Sequence, residues 1–384
     1  RTDLKFRLSY GKTGNQDGIG NYAWQPLMSG GINYGNNSGM AVTSMGNNTL
    51  TWETADQYDF GFDLGFWNGK LNMIADVYLK NTNNLLYSMP LHGTSGFTSI
   101  TNNIGSMRNY GVEFSINGHM NLGKVNWTSS FNISHNKNKL TKLLGDDLLP
   151  IGSNRALKVG EELGAFYLFQ MDGIYQYDGE VPQPLYDLGV RAGDVKYHDV
   201  DNNGIINDSD RVLTGSSNPD FFGGWNNTFK YKGFQLDVFF TYMYGNDVYA
   251  EWAVTATRPG YRMAITEDAA KNRWTAPGSS NKYPRAVNTL CGHNSKNSTR
   301  FLEDGSFIRL RSLTFSYTFP QVMLQKIRMK GLRLYVQGDN LLLFSKYSGW
   351  DPEVSKNMDP QYFGVDLYGV PPSRSVNFGI NLSF

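Results

Sequence analysis

One segment of this 384-residue sequence combines residue types and spacing that suit a metal ion. In a calcium loop, oxygen ligands stand at positions one, three, five and twelve, a glycine at position six makes the sharp turn, and the carbonyl of position seven also binds. Residues 199–210 fit this spacing, except that an aspartate replaces the usual glutamate at position twelve. The candidate ligands are Asp199, Asp201, Asn203, the carbonyl of Ile205, Asn207 (directly or through water) and Asp210.

The aspartate at position twelve lowers the affinity that this site is expected to have. Asp210 is one methylene shorter than glutamate, so bidentate closure around the ion is harder. Calcium modules outside cells work with dissociation constants of about 10⁻⁴ to 10⁻³ M, which such a loop can reach. The predicted cofactor is therefore a structural Ca²⁺, because ligands that surround the ion leave no open position for catalysis. The alternative is an Asx-rich turn that binds no ion.

No motif in the sequence carries catalytic chemistry. Five histidines, at positions 92, 119, 135, 198 and 293, show no paired metal spacing. A phosphate-cradling loop, a nucleophile elbow and a Cys/His metal cluster are all missing from the sequence. The single Cys291 excludes an internal disulfide framework. These motifs therefore give no indication of catalytic chemistry.

Composition favours strands and turns. The chain has 42 Gly, 23 Tyr, 23 Phe and 8 Trp, and only 18% of its residues are charged. The net charge of +1 gives no sign of a nucleic-acid partner. A mean hydropathy of −0.43 excludes a helical membrane protein. It does not exclude a β-barrel, in which half of the strand residues and all loops are polar.

The last strand-like segment, 374–384, alternates strictly between apolar and polar residues. Val376, Phe378, Ile380, Leu382 and Phe384 share one face, and Ser, Asn and Gly residues share the other. An apolar outside and a polar inside are what a closed sheet in a lipid bilayer needs. The segment alone is equally consistent with one half-buried strand of a soluble β-sandwich.

Similar strands recur in pairs along the chain and decide between these two structures. A two-residue hairpin turn is predicted at Asn68-Gly69. Short turns are predicted near Leu122-Gly123-Lys124 and at Tyr231-Lys232-Gly233, and about ten strands are predicted in total. Long polar segments fall between the pairs, at about 12–52, 81–108, 140–219, 245–303 and 344–373. A sandwich has loops of about 4 to 6 residues at both ends, so this sorting favours a transmembrane barrel with long loops on the outside.

Several short segments, in this order, carry a resemblance to a known family. They are 50–54, 103–105, 109–113, 127–138, 193–197, 218–220, 223–224, 305–309, 340–342, 350–353 and 371–374. Together they span nearly the whole chain, although each alone is a weak signal. The sequence resembles the carboxyl-terminal part of the β-barrel of SusC-like TonB-dependent outer-membrane transporters, the type used by Bacteroidota.

This resemblance implies the fold class and the location. The expected fold is all-β: a transmembrane antiparallel β-barrel, with about ten strands of a larger barrel of roughly 22. Residues 1–384 would be the carboxyl-terminal part of the barrel, including a long extracellular loop at 140–219 that holds the calcium-like site. The plug domain of the family is absent from this sequence, so the chain is expected to be a fragment. The expected location is the bacterial outer membrane, crossed many times and surrounded by outer-membrane lipid.

The resemblance also implies a function and partners. The expected function is TonB-dependent import of a nutrient, most simply an oligosaccharide, together with a SusD-like surface lipoprotein. The TonB complex would act through the missing amino-terminal part. The alternatives are a peptide importer of the same family, a passive porin, and a secreted calcium-dependent carbohydrate-binding sandwich.

No substrate-binding residue can be named from the sequence. Loop aromatic side chains could stack on sugar rings, but such side chains also pack long loops. These residues are Trp252, Tyr261, Trp274, Tyr283, Trp350, Tyr362 and Tyr368.

Overall fold

The computed structural model describes residues 2–145, 148–260, 263–287, 292–325, 328–356 and 362–384. Within these residues, ten long strands form one antiparallel sheet in which every neighbour in space is also the next strand along the chain. The strands are β1 (Asp3–Asn15), β2 (Glu53–Phe66), β3 (Leu71–Pro90), β4 (Ser99–Leu122), β5 (Val125–Leu143), β6 (Phe221–Tyr231), β7 (Phe234–Tyr244), β8 (Phe307–Thr318), β9 (Gly331–Ser345) and β10 (Ser375–Ser383). The predicted all-β class and the count of about ten strands are confirmed.

Strand register gives this sheet one apolar and one polar face. In the β1–β2 pair, Phe6 lies opposite Phe62 and Leu8 lies opposite Phe60. On β10 the alternation is the predicted one, and the side chain of Phe378 on the apolar face is 82% exposed. A continuous face of exposed apolar side chains is typical of a surface that contacts lipid.

The opposite face carries polar side chains that bond to one another. The Arg7 guanidinium lies 2.9 Å from Asp63 Oδ1 and 2.8 Å from Asp76 Oδ1, across three strands. Gly379 lies opposite Tyr335, and a side chain at 379 would meet the tyrosine ring. Glycine is therefore needed there so that the ring can lie flat across the sheet.

Short connections gather at one end of the sheet, called here the turn end. The turns predicted near 122–124 and at 231–233 are confirmed. Each has two residues, 123–124 and 232–233, because Leu122 pairs with Val125 and Tyr231 pairs with Phe234. The predicted two-residue turn at Asn68-Gly69 is wrong. The last pair there joins Phe66 to Leu71, and positive φ angles from Trp67 to Gly69 shape a longer loop over 67–70. A connection with the short helix Gln321–Gln325 joins β8 to β9 at the same end.

Long connections gather at the opposite end, called here the loop end. They cover 16–52, 144–220, 245–306 and 346–374, close to four of the predicted segments. The predicted long loop at 81–108 is wrong, because β3 runs to Pro90, β4 begins at Ser99, and the two pair along most of this length. The outer parts of these two strands contain polar residues such as Asn103 and do not alternate between apolar and polar residues. The sequence pattern therefore did not indicate that the strands continue.

The three connections 144–220, 245–306 and 346–374 fold together into a layer over the loop end, called here the loop layer. Its strands are Leu148–Ile151, Arg155–Lys158, Ala165–Phe169, Met171–Ile174, Val195–Tyr197, Arg211–Ser216, Asp247–Ala250, Leu302–Asp304 and Val365–Asp366. Its helices are Gln183–Asp187, Glu251–Ala256 and Glu267–Lys271. The remaining long connection, 16–52, carries a separate hairpin of Leu27–Gly30 with Met40–Ser44.

The largest buried cores lie in this loop layer. One cluster joins all three connections and includes the fully buried Phe166, Tyr249 and Val365. A buried ion pair anchors the third connection to the sheet, with Arg309 of β8 2.6 Å from Asp351 and 2.9 Å from Glu353. None of the helices in the described residues is long and apolar enough to cross a bilayer.

Candidate metal site

The predicted calcium loop joins two small sheets of the loop layer. It follows the strand Val195–Tyr197 and ends in a 3-10 turn, Asp208–Asp210, that leads directly into the strand Arg211–Ser216. Within the loop, Ile206 is buried in a cluster that also contains Val195 and Tyr197. The flanking strands fix both ends of the loop, and the buried side chain of Ile206 fixes its middle. The polar residues of the loop are therefore held in a single turn.

The backbone of the loop takes the sharp turn that the sequence indicated. Asn202 and Gly204 have φ angles of 57° and 80°, a region that glycine enters without strain and asparagine tolerates. The amide of Gly204 donates to Asp199 Oδ2 at 2.7 Å, and the amide of Asn203 donates to Asp199 Oδ1 at 3.2 Å. The turn therefore folds around the first carboxylate.

Three of the predicted ligands come together at the centre of the turn. One carboxylate oxygen from each of Asp199, Asp201 and Asp210 lies within 4.8 Å of the others. This is the only group of its kind among the described histidine, cysteine and acidic residues. Asp210 is fully buried, and its two oxygens accept hydrogen bonds from the amides of Val200 and Asn207, at 2.9 and 2.8 Å.

The other predicted ligands stand beside this centre and have partners of their own. The side-chain amide of Asn203 donates through its nitrogen to Asp201 Oδ2 at 2.8 Å, and its oxygen accepts from the backbone amide of Ile205 at 2.7 Å. The Asn207 side chain accepts from the Ser209 amide at 2.8 Å and so caps the 3-10 turn. The side chain of Ile205 is exposed.

The donor set fits a hard divalent cation. Each carboxylate oxygen has about two lone pairs, and one hydrogen bond leaves the other free for a metal ion. In the described part of the chain, no lysine or arginine forms an ion pair with Asp199, Asp201 or Asp210; the nearby Arg211 pairs with Asp208 instead. Three like charges this close repel one another unless a cation or a proton compensates them.

Electrostatics around the cluster point the same way. Partial desolvation raises the pKa of Asp199, but hydrogen bonds from the backbone amides of Gly204, Asn203 and Asn202 help to hold that pKa below its usual value. A carboxyl group with a lowered pKa stays ionised at neutral pH, as a metal ligand must. Burial lowers the pKa of the nearby Lys296 ammonium group, and the negative charges of Asp208 and Asp210 oppose this effect only in part.

Two features of this site were missed from the sequence. Ile206 anchors the loop at position eight, and its apolar character within a mostly polar loop was a usable signal. The amide of Val200 closes the loop onto Asp210, and a backbone contact of this kind leaves no signal in residue types.

Removal of metal ions is expected to loosen this loop and little else. An ion that binds only the folded loop stabilises it by mass action, so a chelator should increase hydrogen exchange in 193–215 and leave β1–β10 unchanged. Exchange measured by mass spectrometry, with and without chelator and after calcium is restored, tests this. Identical exchange in all three samples contradicts a structural ion.

Most of the loop aromatic residues that were considered for sugar stacking pack the loops. Trp252 donates to the Tyr347 hydroxyl at 3.1 Å, Trp274 donates to the Gln176 side chain at 3.1 Å, and Tyr283 is buried and bonds to Asp268. Tyr362 packs against the main cluster of the loop layer. Trp350 and Tyr368 expose more than half of their surface. Tyr261 lies outside the described residues.

The sequence matches a family profile over residues 1–341, described as "TonB dependent receptor-like, beta-barrel". Two similar proteins cover the whole chain. "TonB-dependent receptor P3" of Formosa agariphila is 33% identical over 403 residues, and "TonB-dependent receptor SusC" of Bacteroides thetaiotaomicron is 29% identical over 412 residues. The chain spans only 39% and 38% of the lengths of these two proteins.

The fold matches a solved structure over its full length. The structure titled "Structure of the RagAB peptide transporter" superposes with a TM-score of 0.85 and 28% sequence identity. The match covers 100% of this chain and 41% of that one.

Proposed function

The chain belongs to the TonB-dependent receptor-like β-barrel family and resembles its SusC-like members, and from this premise we propose that it forms part of an energy-driven nutrient importer. It lies in the outer membrane. The observation that carries the proposal is the ten-stranded meander with its short turns at one end and its folded loop layer at the other. In barrels of this kind the short turns face the periplasm and the long loops face the outside.

The sheet supplies part of the wall of a larger barrel in this proposal. Its apolar face contacts lipid and its polar face lines the lumen. The two edge strands, β1 and β10, have one unpaired side each among the described residues. An unpaired strand edge is costly in lipid, so we expect further strands to pair with β1 and β10 and close the barrel. Residues 1–384 would then be the carboxyl-terminal part of the barrel wall, with the calcium-like loop on the outside.

The loop layer is the part that we expect to meet the solute. It is a folded layer with its own buried cores, so its surface is preorganised for binding. We further propose that a Ca²⁺ ion held by Asp199, Asp201 and Asp210 stiffens this layer. In this role the ion has no part in any chemical step.

The substrate has two candidates. An oligosaccharide follows from the sequence resemblance and from the exposed Trp350 and Tyr368. A peptide is the second candidate, because the similar solved structure is named a peptide transporter and because the loop layer lines an apolar cavity. In both cases the proposed partners are a SusD-like surface lipoprotein and the TonB complex.

Uptake measurements separate an importer from a passive porin. The full-length protein in its own outer membrane is expected to lose most uptake of its solute when TonB is deleted or the proton gradient is collapsed. Surface binding of the solute should survive both treatments, because binding itself needs no energy. Uptake that continues unchanged without TonB would favour the porin instead.

A further inference from the structure

A cavity of about 400 Å³ lies between the polar face of the sheet and the loop layer. Met107 and Asn109 of β4 and Leu140 of β5 line it from the sheet. By strand alternation these residues share the face that carries Glu113. The cavity therefore lies on the side of the sheet that would line the lumen, and its volume is in the range of ordinary ligand pockets.

Most of the cavity wall is apolar. Its main apolar side chains are Leu85, Ile104, Leu140, Ile151, Leu157 and Phe363. No acidic residue and no tryptophan lines the cavity in the described part of the chain. Sugar sites present many polar groups, and aliphatic side chains outnumber the polar ones in this wall, so it suits an apolar group better than a sugar ring.

The polar side chains of the wall are mostly occupied by the protein itself. The Asn138 side chain bonds to the backbone of Leu163 in both directions, at 2.6 and 3.3 Å. The Asn218 amide donates to the Leu163 carbonyl at 2.7 Å. Arg155 is then the charged group of the wall.

Arg155 is buried without a negative partner. Its side chain is 8% exposed, and its guanidinium donates to the carbonyl of Gly164 at 3.0 Å, to the hydroxyl of Ser217 at 3.2 Å and to the carbonyl of Phe363. All three acceptors are neutral, and the Nε–H has no acceptor among the described residues. Burial lowers the pKa of Arg155 to about 10, a sign that its charge is poorly compensated. Buried charges in proteins are normally paired, so an anionic ligand group would stabilise the Arg155 guanidinium.

We propose that the cavity binds an apolar ligand group that carries a carboxylate, with the carboxylate beside the Arg155 guanidinium and the apolar part among the leucine and isoleucine side chains. This inference rests on the proposed import function, and it favours the second of the two substrate candidates. The carboxyl end of a peptide with apolar side chains has this chemistry, and so does a free medium-chain fatty acid. An uncharged oligosaccharide does not.

Matched ligands test the proposal on the full-length protein in lipid nanodiscs. N-acetyl-leucyl-leucine ends in a carboxylate that would bind Arg155, and its carboxamide ends in a neutral amide. Octanoate is the probe for fatty acids. Calorimetry is expected to show the dipeptide acid binding about tenfold or more tighter than its amide, because a charge-assisted hydrogen bond is lost in the amide. Tighter binding of octanoate than of the dipeptide acid would assign the site to fatty acids, and the reverse order would assign it to peptides.

Two variants and one control connect the binding to this cavity. Arg155→Gln is expected to remove the preference for the acid over the amide. Lys158→Gln removes a positive charge from the same strand at an exposed position that does not line the cavity, and it should keep the preference. Because Arg155 also joins the connections 144–220 and 346–374, Ala156→Met provides a second route. It fills the cavity and leaves Arg155 in place, and it should weaken acid and amide binding alike.

The outcomes are distinct from those of the uptake test. Equal affinity for acid and amide in the unmodified protein would overturn the proposal, and so would an Ala156→Met variant that binds normally. No binding of any probe would mean that another part of the full-length protein fills the cavity, and this result also overturns it. None of these measurements uses an energy source, so TonB-independent uptake would refute the import function and leave the ligand site intact.

Discussion

Replacing Arg309 with leucine is expected to detach the segment around Asp351 from the sheet. Arg309 is 2% exposed and pairs with Asp351 at 2.6 Å and with Glu353 at 2.9 Å. Removal of the guanidinium leaves the buried Asp351 carboxylate without a counter-ion. Breaking a buried pair in this way costs about 3–5 kcal/mol, so the local free energy of opening should fall by that order.

Hydrogen exchange of residues 346–356 in the full-length protein measures this loss. Arg311→Leu is the matched control, because the same substitution lies two residues further along β8. Arg311 is about one-third exposed, and its partner Glu353 keeps Arg309 at 2.9 Å. An effect below about 1 kcal/mol is expected for the control. Equal exchange in the two variants would show that the buried pair does not anchor the segment.

An arginine in place of Phe378 is expected to reduce insertion into the outer membrane strongly. The Phe378 side chain lies near the middle of β10 on the apolar face, and a charge there would face hydrocarbon. Such a substitution costs about 2–4 kcal/mol near the bilayer midplane. The measurement is the amount of folded, urea-resistant protein in isolated outer membranes.

The neighbouring residue gives the control for this experiment. Asn377 lies on the polar face, where its side chain bonds to Asp339. An arginine at position 377 would meet that carboxylate, so Asn377→Arg should insert at nearly the normal level. A similar loss in both variants would mean that the two faces of β10 do not have the environments assigned to them.

The strands could be predicted because the two faces of the sheet meet different solvents. Phe378 and Asn377 are adjacent in sequence but face opposite sides, and this contrast repeats in all ten strands. The alternation of apolar and polar residues ends where both faces of the sheet are exposed to water. Strand β3 continues to Pro90, and strand β4 already begins at Ser99. The alternation is lost in these parts of the two strands, so a long loop was predicted there instead. The turn at 67–70 was also misplaced, because a glycine marks a turn more clearly than it marks the number of residues in it.

The metal loop was predictable because its ligands lie within twelve consecutive residues. The three carboxylates of Asp199, Asp201 and Asp210 meet as the spacing indicated, while ion binding itself stays a prediction. Contacts between distant segments could not be predicted in this way. Arg309 and Asp351 lie 42 residues apart, and many other charged residues were equally plausible partners. The cavity beside Arg155 is formed by side chains from the sheet and from separate loops, so no single stretch of sequence describes it.

The order of strands in the sheet has a consequence for how the protein folds. Every sheet partner is the next long strand along the chain, so each new strand can add to the edge left by the one before it. The loop layer is different: the hydrogen bond from Arg155 to the carbonyl of Phe363 spans 208 residues, and Tyr249 pairs with Val365 in a parallel bridge. Contacts of such long sequence separation close late, because they carry the largest loop-closure entropy. We therefore expect the wall to assemble strand by strand and the outer layer to lock only after the last strands have joined, so that an incomplete barrel stays open on its outer side.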